Sequence, residues 1–139
     1  MKISRHKTAI SRNNFSRPFQ IALSSQVISS GTTIFDYGCG RGDDLNALNS
    51  LGYEASGWDP SFSPDGDLVK ADAVNLGFVI NVIEDPPERM EVIRKAFELT
   101  AKVLMISARL TFELNKSKCR PHGDGYFTQK KTFQKFYAQ

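Results

Sequence analysis

Between Thr32 and Pro60 the chain reads TTIFDYGCGRGDDLNALNSLGYEASGWDP, and this stretch constrains the fold more than any other. Ile34-Phe35 is a short apolar run of the kind a strand buried on both faces carries. It leads into Asp36-Tyr37-Gly38-Cys39-Gly40-Arg41-Gly42, where three glycines alternate with larger residues. Glycine permits positive φ and removes the Cβ that would keep a ligand off the backbone. Asp43 and Asp44 suit a helix N-terminus. Leu45, Leu48 and Leu51 give that helix one apolar face, and Gly52 stands where a left-handed C-cap belongs. After Tyr53, the segment Glu54-Ala55-Ser56-Gly57-Trp58 reads as a second strand ending in Asp59. The pattern is half of a nucleotide-binding βαβ unit, with an acid at the end of strand 2.

The spacing narrows the ligand. The dehydrogenase fingerprint G-x-G-x-x-G requires a third glycine at position 43, which is Asp43. The motif present is D-x-G-x-G-x-G, through Asp36, Gly38, Gly40 and Gly42. A pyrophosphate wants free helix N–H groups and no carboxylates nearby. Here Asp36, Asp43 and Asp44 surround the turn, which suits a cationic ligand such as S-adenosylmethionine, with its sulfonium and ammonium. The motif resembles motif I of the class I S-adenosylmethionine-dependent methyltransferases. Trp58-Asp59-Pro60 resembles their motif II, whose acid takes the ribose hydroxyls.

At 139 residues the chain is expected to be one domain with a real core. It is 40% hydrophobic, with no apolar run long enough for a transmembrane helix and no signal-peptide h-region behind the basic MKISRHKTAI. Cys39 and Cys119 form no CxxC or metal pattern, and two free thiols point to a reducing cytoplasm. The net charge of +3 is unevenly spread. Residues 1–20 hold five cations and no acid, residues 115–139 six cations and one acid, and the other fourteen acids lie between them. Such a chain could seat a cationic cofactor in its middle and hold a polyanion at its edges, or could simply carry two solvated ends.

Residues 1–15 have no period and read as a basic arm, extended over the cofactor or reaching toward the substrate. Ser16 and Pro18 start a helix with Phe19, Ala22, Leu23, Gln26 and Val27 at helical spacing, closed by Ser29-Ser30-Gly31. After Asp59, two prolines and a glycine in residues 60–67 leave no room for a crossover helix. Strand 3 is therefore expected to be vestigial, giving a reduced, mostly parallel Rossmann-like α/β sheet of order 2-1-4-5 with flanking helices. Ala73–Leu76 reads as strand 4, and residues 78–83 as a following segment of about one helical turn. Asn75, at the end of that strand, and Gly77, just past it, are candidates for substrate contact; Asn75 reads equally well as a buried amide tying two loops. Glu84-Asp85-Pro86-Pro87-Glu88 looks superficially like the DPPY box of amino-group DNA methyltransferases, but Glu88 stands where a stacking aromatic is needed. It reads better as a helix start: N-cap Asp85, proline at N1 and Glu88 in a capping box. Met90, Ile93, Phe97 and Ala101 would form that helix's apolar face. Val103–Ser107 is strand 5.

Residues 115–139 form a basic, aromatic segment. Thr128 is expected to cap a last helix with Phe133, Phe136 and Tyr137 on one face. Cations interleaved with aromatics can hold nucleic acid, although such aromatics more often form a buried face. The chain is expected to stop in mid-helix, as the N-terminal part of a longer protein.

Taken together, SRHKTAI, SRP, FDYGCGRGDD, GYEASGWDP, NLGFVINVIEDP and GDGYFTQKKTFQKFYAQ resemble the start of the methyltransferase family associated with DNA phosphorothioation. The resemblance implies an S-adenosylmethionine-binding domain, linked to sulfur modification of bacterial DNA and belonging to a longer parent chain. It implies that Asp36, Gly38, Cys39, Gly40 and Gly42 form the cofactor loop, that Asp59 holds the ribose, and that Leu76 lies beside the cofactor. Asp72 either replaces the adenine-binding acid or only precedes strand 4. Nucleic acid, DNA in the first place, is the expected acceptor, and no residue declares itself as a base. The alternatives are a non-catalytic cofactor- or DNA-binding adaptor of the same system, and a nicotinamide-dependent oxidoreductase, disfavoured by the missing third glycine.

Overall fold

The computed structural model describes residues 2–9 and 14–139. Met1 and residues 10–13, which include Arg12 of the expected basic arm and the end of SRHKTAI, lie outside the described residues. Four parallel strands form the central sheet: β1 (Thr33–Tyr37), β2 (Glu54–Trp58), β3 (Ala71–Gly77) and β4 (Thr100–Ser107), in the order β2-β1-β3-β4. With β3 and β4 standing for expected strands 4 and 5, this is the order 2-1-4-5. Residues 60–70 hold turns and a single Asp59–Ser63 bridge in place of strand 3. The architecture is Rossmann-like α/β.

Helices cover both faces because neighbouring residues of a strand point opposite ways. On one face Ile34 and Ala73 pack with Phe19 and Ala22 of α1 (Arg17–Ser24) and Leu48 of α2 (Asp43–Ser50). On the other, Phe35, Tyr37, Val74 and Leu76 pack with Ala96 of α3 (Pro86–Glu98), backed by Val92 and Ile93. Each wholly buried Phe, Leu or Ile here contributes about 1.5–3 kcal/mol. Gly52 ends α2 at φ 90°, as its position predicts. Leu51, however, is exposed, so Leu48 carries the α2 contact. Among the described residues no helix is long and apolar enough to cross a membrane.

Several expected details are corrected. Helix α1 stops at Ser24; Gln26 takes φ 60° and Val27 is exposed, so neither extends its apolar face. Asp85 does cap α3, accepting from the Glu88 N–H at 3.3 Å, but the Glu88 carboxylate bonds Arg5 instead of closing a capping box. The buried side of α3 is Arg89, Val92, Ile93 and Ala96; Met90 and Phe97 are about two-thirds exposed (65% and 67%), and Ala101 lies exposed in β4. After β3 the chain bends at Phe78, φ 56°, and Val82 N then closes a single turn on Val79 O at 3.1 Å, without a helix.

The largest correction is C-terminal. Where a helix from Thr128 was expected, β5 (Cys119–His122), β6 (Gly125–Thr128) and β7 (Phe133–Gln134) form a small antiparallel sheet in that order. Phe133 is buried and close to His122, so the bland reading of its aromatic holds. Gly125 lies so near that a Cβ there would come within 2.5 Å of Phe133 Cζ. Two ties fasten this sheet to the rest. Arg89, its side chain only 8% exposed, donates to Asp124 at 2.8 and 3.1 Å and to the Ile83 carbonyl at 2.7 and 3.2 Å. Lys135 N donates to Asn81 O at 2.7 Å, and Asn81 Nδ2 to Gln134 Oε1 at 2.9 Å.

Candidate functional site

The C-terminal ends of β1, β2 and β3 converge on a cavity of about 370 Å³. This is where open parallel sheets bind ligands, since the loops leaving the strands diverge there. The glycine turn forms its floor. Gly38, at φ 90°, donates to Trp58 O at 2.7 Å, and Cys39 N donates to the same oxygen at 3.0 Å. Gly40 N donates to Asp59 Oδ2 at 2.9 Å, and Gly42 N to Cys39 O at 3.0 Å. These four amides are thus bonded within the protein. Two close approaches explain the turn's shape. A Cβ on Gly38 would fall 2.6 Å from Val79 Cγ2, and one on Gly57 would meet Leu45, Asp36 O and Cys39 within 3 Å.

Acids dominate this floor. Asp36 is 4% exposed and lies at the end of β1, where Asn75 Nδ2 donates to its Oδ1 at 3.0 Å. Burial pushes its carboxyl up to about 7; the Asn75 bond opposes the rise, while Asp44 and Asp59 add to it. Asn75 keeps its Oδ1 buried without a partner, as part of the cavity lining. Asn75 is thus a buried amide, and it ties two strands, β3 and β1, in place of two loops. Gly77 also lines the cavity, and a Cβ there would press on Asn75 Nδ2 at 2.9 Å. Asp59 accepts from Ser61 N and Phe62 N on Oδ1 and from Gly40 N on Oδ2. With roughly two acceptor positions per oxygen, Oδ2 can take one further hydroxyl. Burial, with Asp36 and Asp59 nearby, drives the Cys39 thiol up to about 11, so it is an inert lining group.

Not every expected site residue is there. Gly42 caps α2 at φ 81° and shapes the turn without lining the cavity. Leu76 is wholly buried against the α3 side and does not reach the cavity. Asp72 is at the other end of the sheet, at the start of β3. There it accepts from Thr33 N at 3.1 Å and faces Lys102 at 3.6 Å, bonds that hold its carboxyl below the usual range. It cannot serve as an adenine-binding acid, because the strand's length separates it from the glycine turn.

The structure also supplies residues that spacing did not reveal. Tyr37 and Trp58 are register partners on β1 and β2, and their rings stack obliquely at 5.4 Å as an aromatic wall. Pairing the two strand ends residue by residue would have found them. The N-terminal arm crosses the opening, placing Arg5, His6, Thr8 and Ala9 in the lining. Arg5 grips Glu84 at 2.9 and 3.0 Å and Glu88 twice at 2.8 Å, and this raises its own pKa and lowers that of Glu88. No sequence pattern links position 5 to position 84. The chain matches no protein-family model, and no curated protein matches it significantly.

Proposed function

We propose that this chain is the S-adenosylmethionine-binding domain of a methyltransferase acting on nucleic acid in a DNA phosphorothioation-linked system. The observation that carries the reading is a glycine turn whose Gly38, Cys39, Gly40 and Gly42 amides are bonded internally, set in a cavity floored by Asp36, Asp44 and Asp59. That floor favours a cation and disfavours a pyrophosphate. The residues present fit the cofactor. Asp36 and Asn75 would face its ammonium, Asp59 Oδ2 would take a ribose hydroxyl, and Tyr37 with Trp58, tilted at 53° to each other, would offer an aromatic wall to the adenine. When bound, the cofactor supplies an electrophilic methyl group. The protein's part is orientation and exclusion of water, worth roughly 7–11 kcal/mol of barrier in well-aligned cases. The link to phosphorothioation comes from the sequence resemblance.

A second reading is favoured by one feature: the Arg5 strap lies across the opening. That suits a cofactor-binding adaptor. Transfer of labelled methyl to phosphorothioated DNA, plain DNA, tRNA and protein separates the two. Incorporation into nucleic acid supports the enzyme, and none into any acceptor by a chain that binds the cofactor supports the adaptor.

A further inference from the structure

The two basic ends of the chain meet in space. Ser4 N donates to Lys131 O at 2.8 Å, which joins the N-terminal arm to the turn between β6 and β7. That turn is tightly made: Thr128 N donates to Thr132 O at 2.8 Å, Lys131 N to Thr128 O at 3.0 Å, and the two threonine hydroxyls share a hydrogen bond. Lys2, His6 and Lys7 are exposed on the arm, and Lys130 and Lys131 on the turn. Among the described residues, none of these four lysines has an ion pair. No acid occurs in residues 1–20 or 125–139 to neutralise them. Arg5 and Lys135, by contrast, are engaged with Glu84, Glu88 and Asp124.

Lys131 sits at φ 60°, a left-handed conformation that glycine would adopt at roughly 1 kcal/mol less cost. The same arm puts Arg5, His6 and Thr8 in the wall of the cavity, so the cationic ridge is joined to that wall through Lys7, whose chain neighbours line it, while the floor is acidic. A phosphate chain would be attracted to the ridge and repelled by the floor, leaving the floor to a cation and the mouth to a polyanion.

We infer that Lys2, Lys7, Lys130 and Lys131 form one phosphate-binding ridge that lays a nucleic-acid strand along the cavity mouth. This rests on the proposed nucleic-acid substrate and names the surface that holds it. The test is fluorescence anisotropy of the full chain with labelled single-stranded and duplex DNA over a range of salt. Lys130→Gln/Lys131→Gln and Lys2→Gln/Lys7→Gln should each weaken binding roughly tenfold at low salt. Each should also flatten the salt slope by about 1.4–1.8, the counterions of two phosphates. Lys70→Gln/Lys102→Gln, beside Asp72 at the opposite end of the central sheet from the cavity, should change it less. Lys131→Gly should weaken binding while raising the melting temperature, so that misfolding cannot account for the loss. Absence of DNA binding by the unaltered chain, equal losses in all three pairs, or lysine-dependent binding to anionic vesicles alone would overturn the inference. Titration of the same proteins with S-adenosylmethionine reports separately on the cofactor reading, and the ridge variants should leave it unchanged.

Discussion

The glycine turn and the C-terminal sheet both rest on glycines with no room for a side chain, yet they do opposite electrostatic work. The turn between β1 and α2 gathers carboxylates around a cavity, and its amides are held by the backbone and side chain of its neighbours Trp58 and Asp59. The sheet of β5, β6 and β7 brings lysines to the surface and is fastened from a distance, through Arg89 and Asn81. One region is local in sequence and acidic; the other is long-range and basic. The comparison suggests that ligand chemistry is divided between them, with a cation in the floor and a polyanion at the edge.

The strongest way to break this contrast is to put a methyl group into each region. Gly38→Ala strains a residue at φ 90° and drives Cβ to 2.6 Å from Val79. It should cost about 3 kcal/mol in urea unfolding and abolish binding in the cavity. Gly125→Ala collides with Phe133 and Gln134 O and should cost a similar amount, but loosen the C-terminal sheet first. Hydrogen exchange distinguishes them: β6 amides should lose protection in the second variant and keep it in the first. Equal loss across the whole chain in both would mean that the two regions form one cooperative unit.

Arg89→Ala comes next. It removes the guanidinium that joins α3 to Asp124 and the Ile83 carbonyl, and should cost about 2–3 kcal/mol. Arg89 holds the Asp124 carboxyl down to about 2, so the Asp124 titration, followed by NMR, should rise toward the ordinary range. A third effect is pH-dependent. Because Asp36 titrates near 7 when folded against 3.8 ordinarily, the unfolded chain loses that proton first as pH rises. Its contribution therefore falls between about pH 4 and 7 and is flat above. Asp36→Asn should remove that fall, a difference on the order of a few kcal/mol between about pH 4 and 7 in thermal or urea melts compared with the unaltered chain. The smallest effect should come from Phe97→Ser. If the exposed side of α3 is as described, stability should stay within about 0.5 kcal/mol; a loss of several kcal/mol would restore the buried face expected from the sequence.

The legibility of the fold follows the same division. Strands β1 and β4 could be read from their apolar runs, β2 from its place after the helix and its closing acid, and the turn because its glycines and acids sit within a few residues of one another. On α3 the apolar residues Met90, Val92, Ile93, Ala96, Phe97 and Leu99 surround the helix, so spacing alone could not choose a face. An arginine on the inside made the choice harder still. Phe133, Phe136 and Tyr137 suit either a helix or a strand, and a lysine at positive φ gives no sign of a turn. Asp72 looked like a site residue because only topology shows which end of β3 it occupies. Arg5 could not be placed at all, since its partners are 79 and 83 residues away.

The central claim is a cationic nucleoside in the acidic floor, and isothermal titration of the full chain with S-adenosylmethionine tests it most directly. The account predicts one site per chain, weakened at least tenfold in Asp59→Ala, which loses both the ribose acceptor and the bond that sets Gly40. It also predicts binding that strengthens from pH 6 to 8 as Asp36 ionises. No heat of binding, tighter binding of NAD, or an affinity untouched by Asp59→Ala would contradict it.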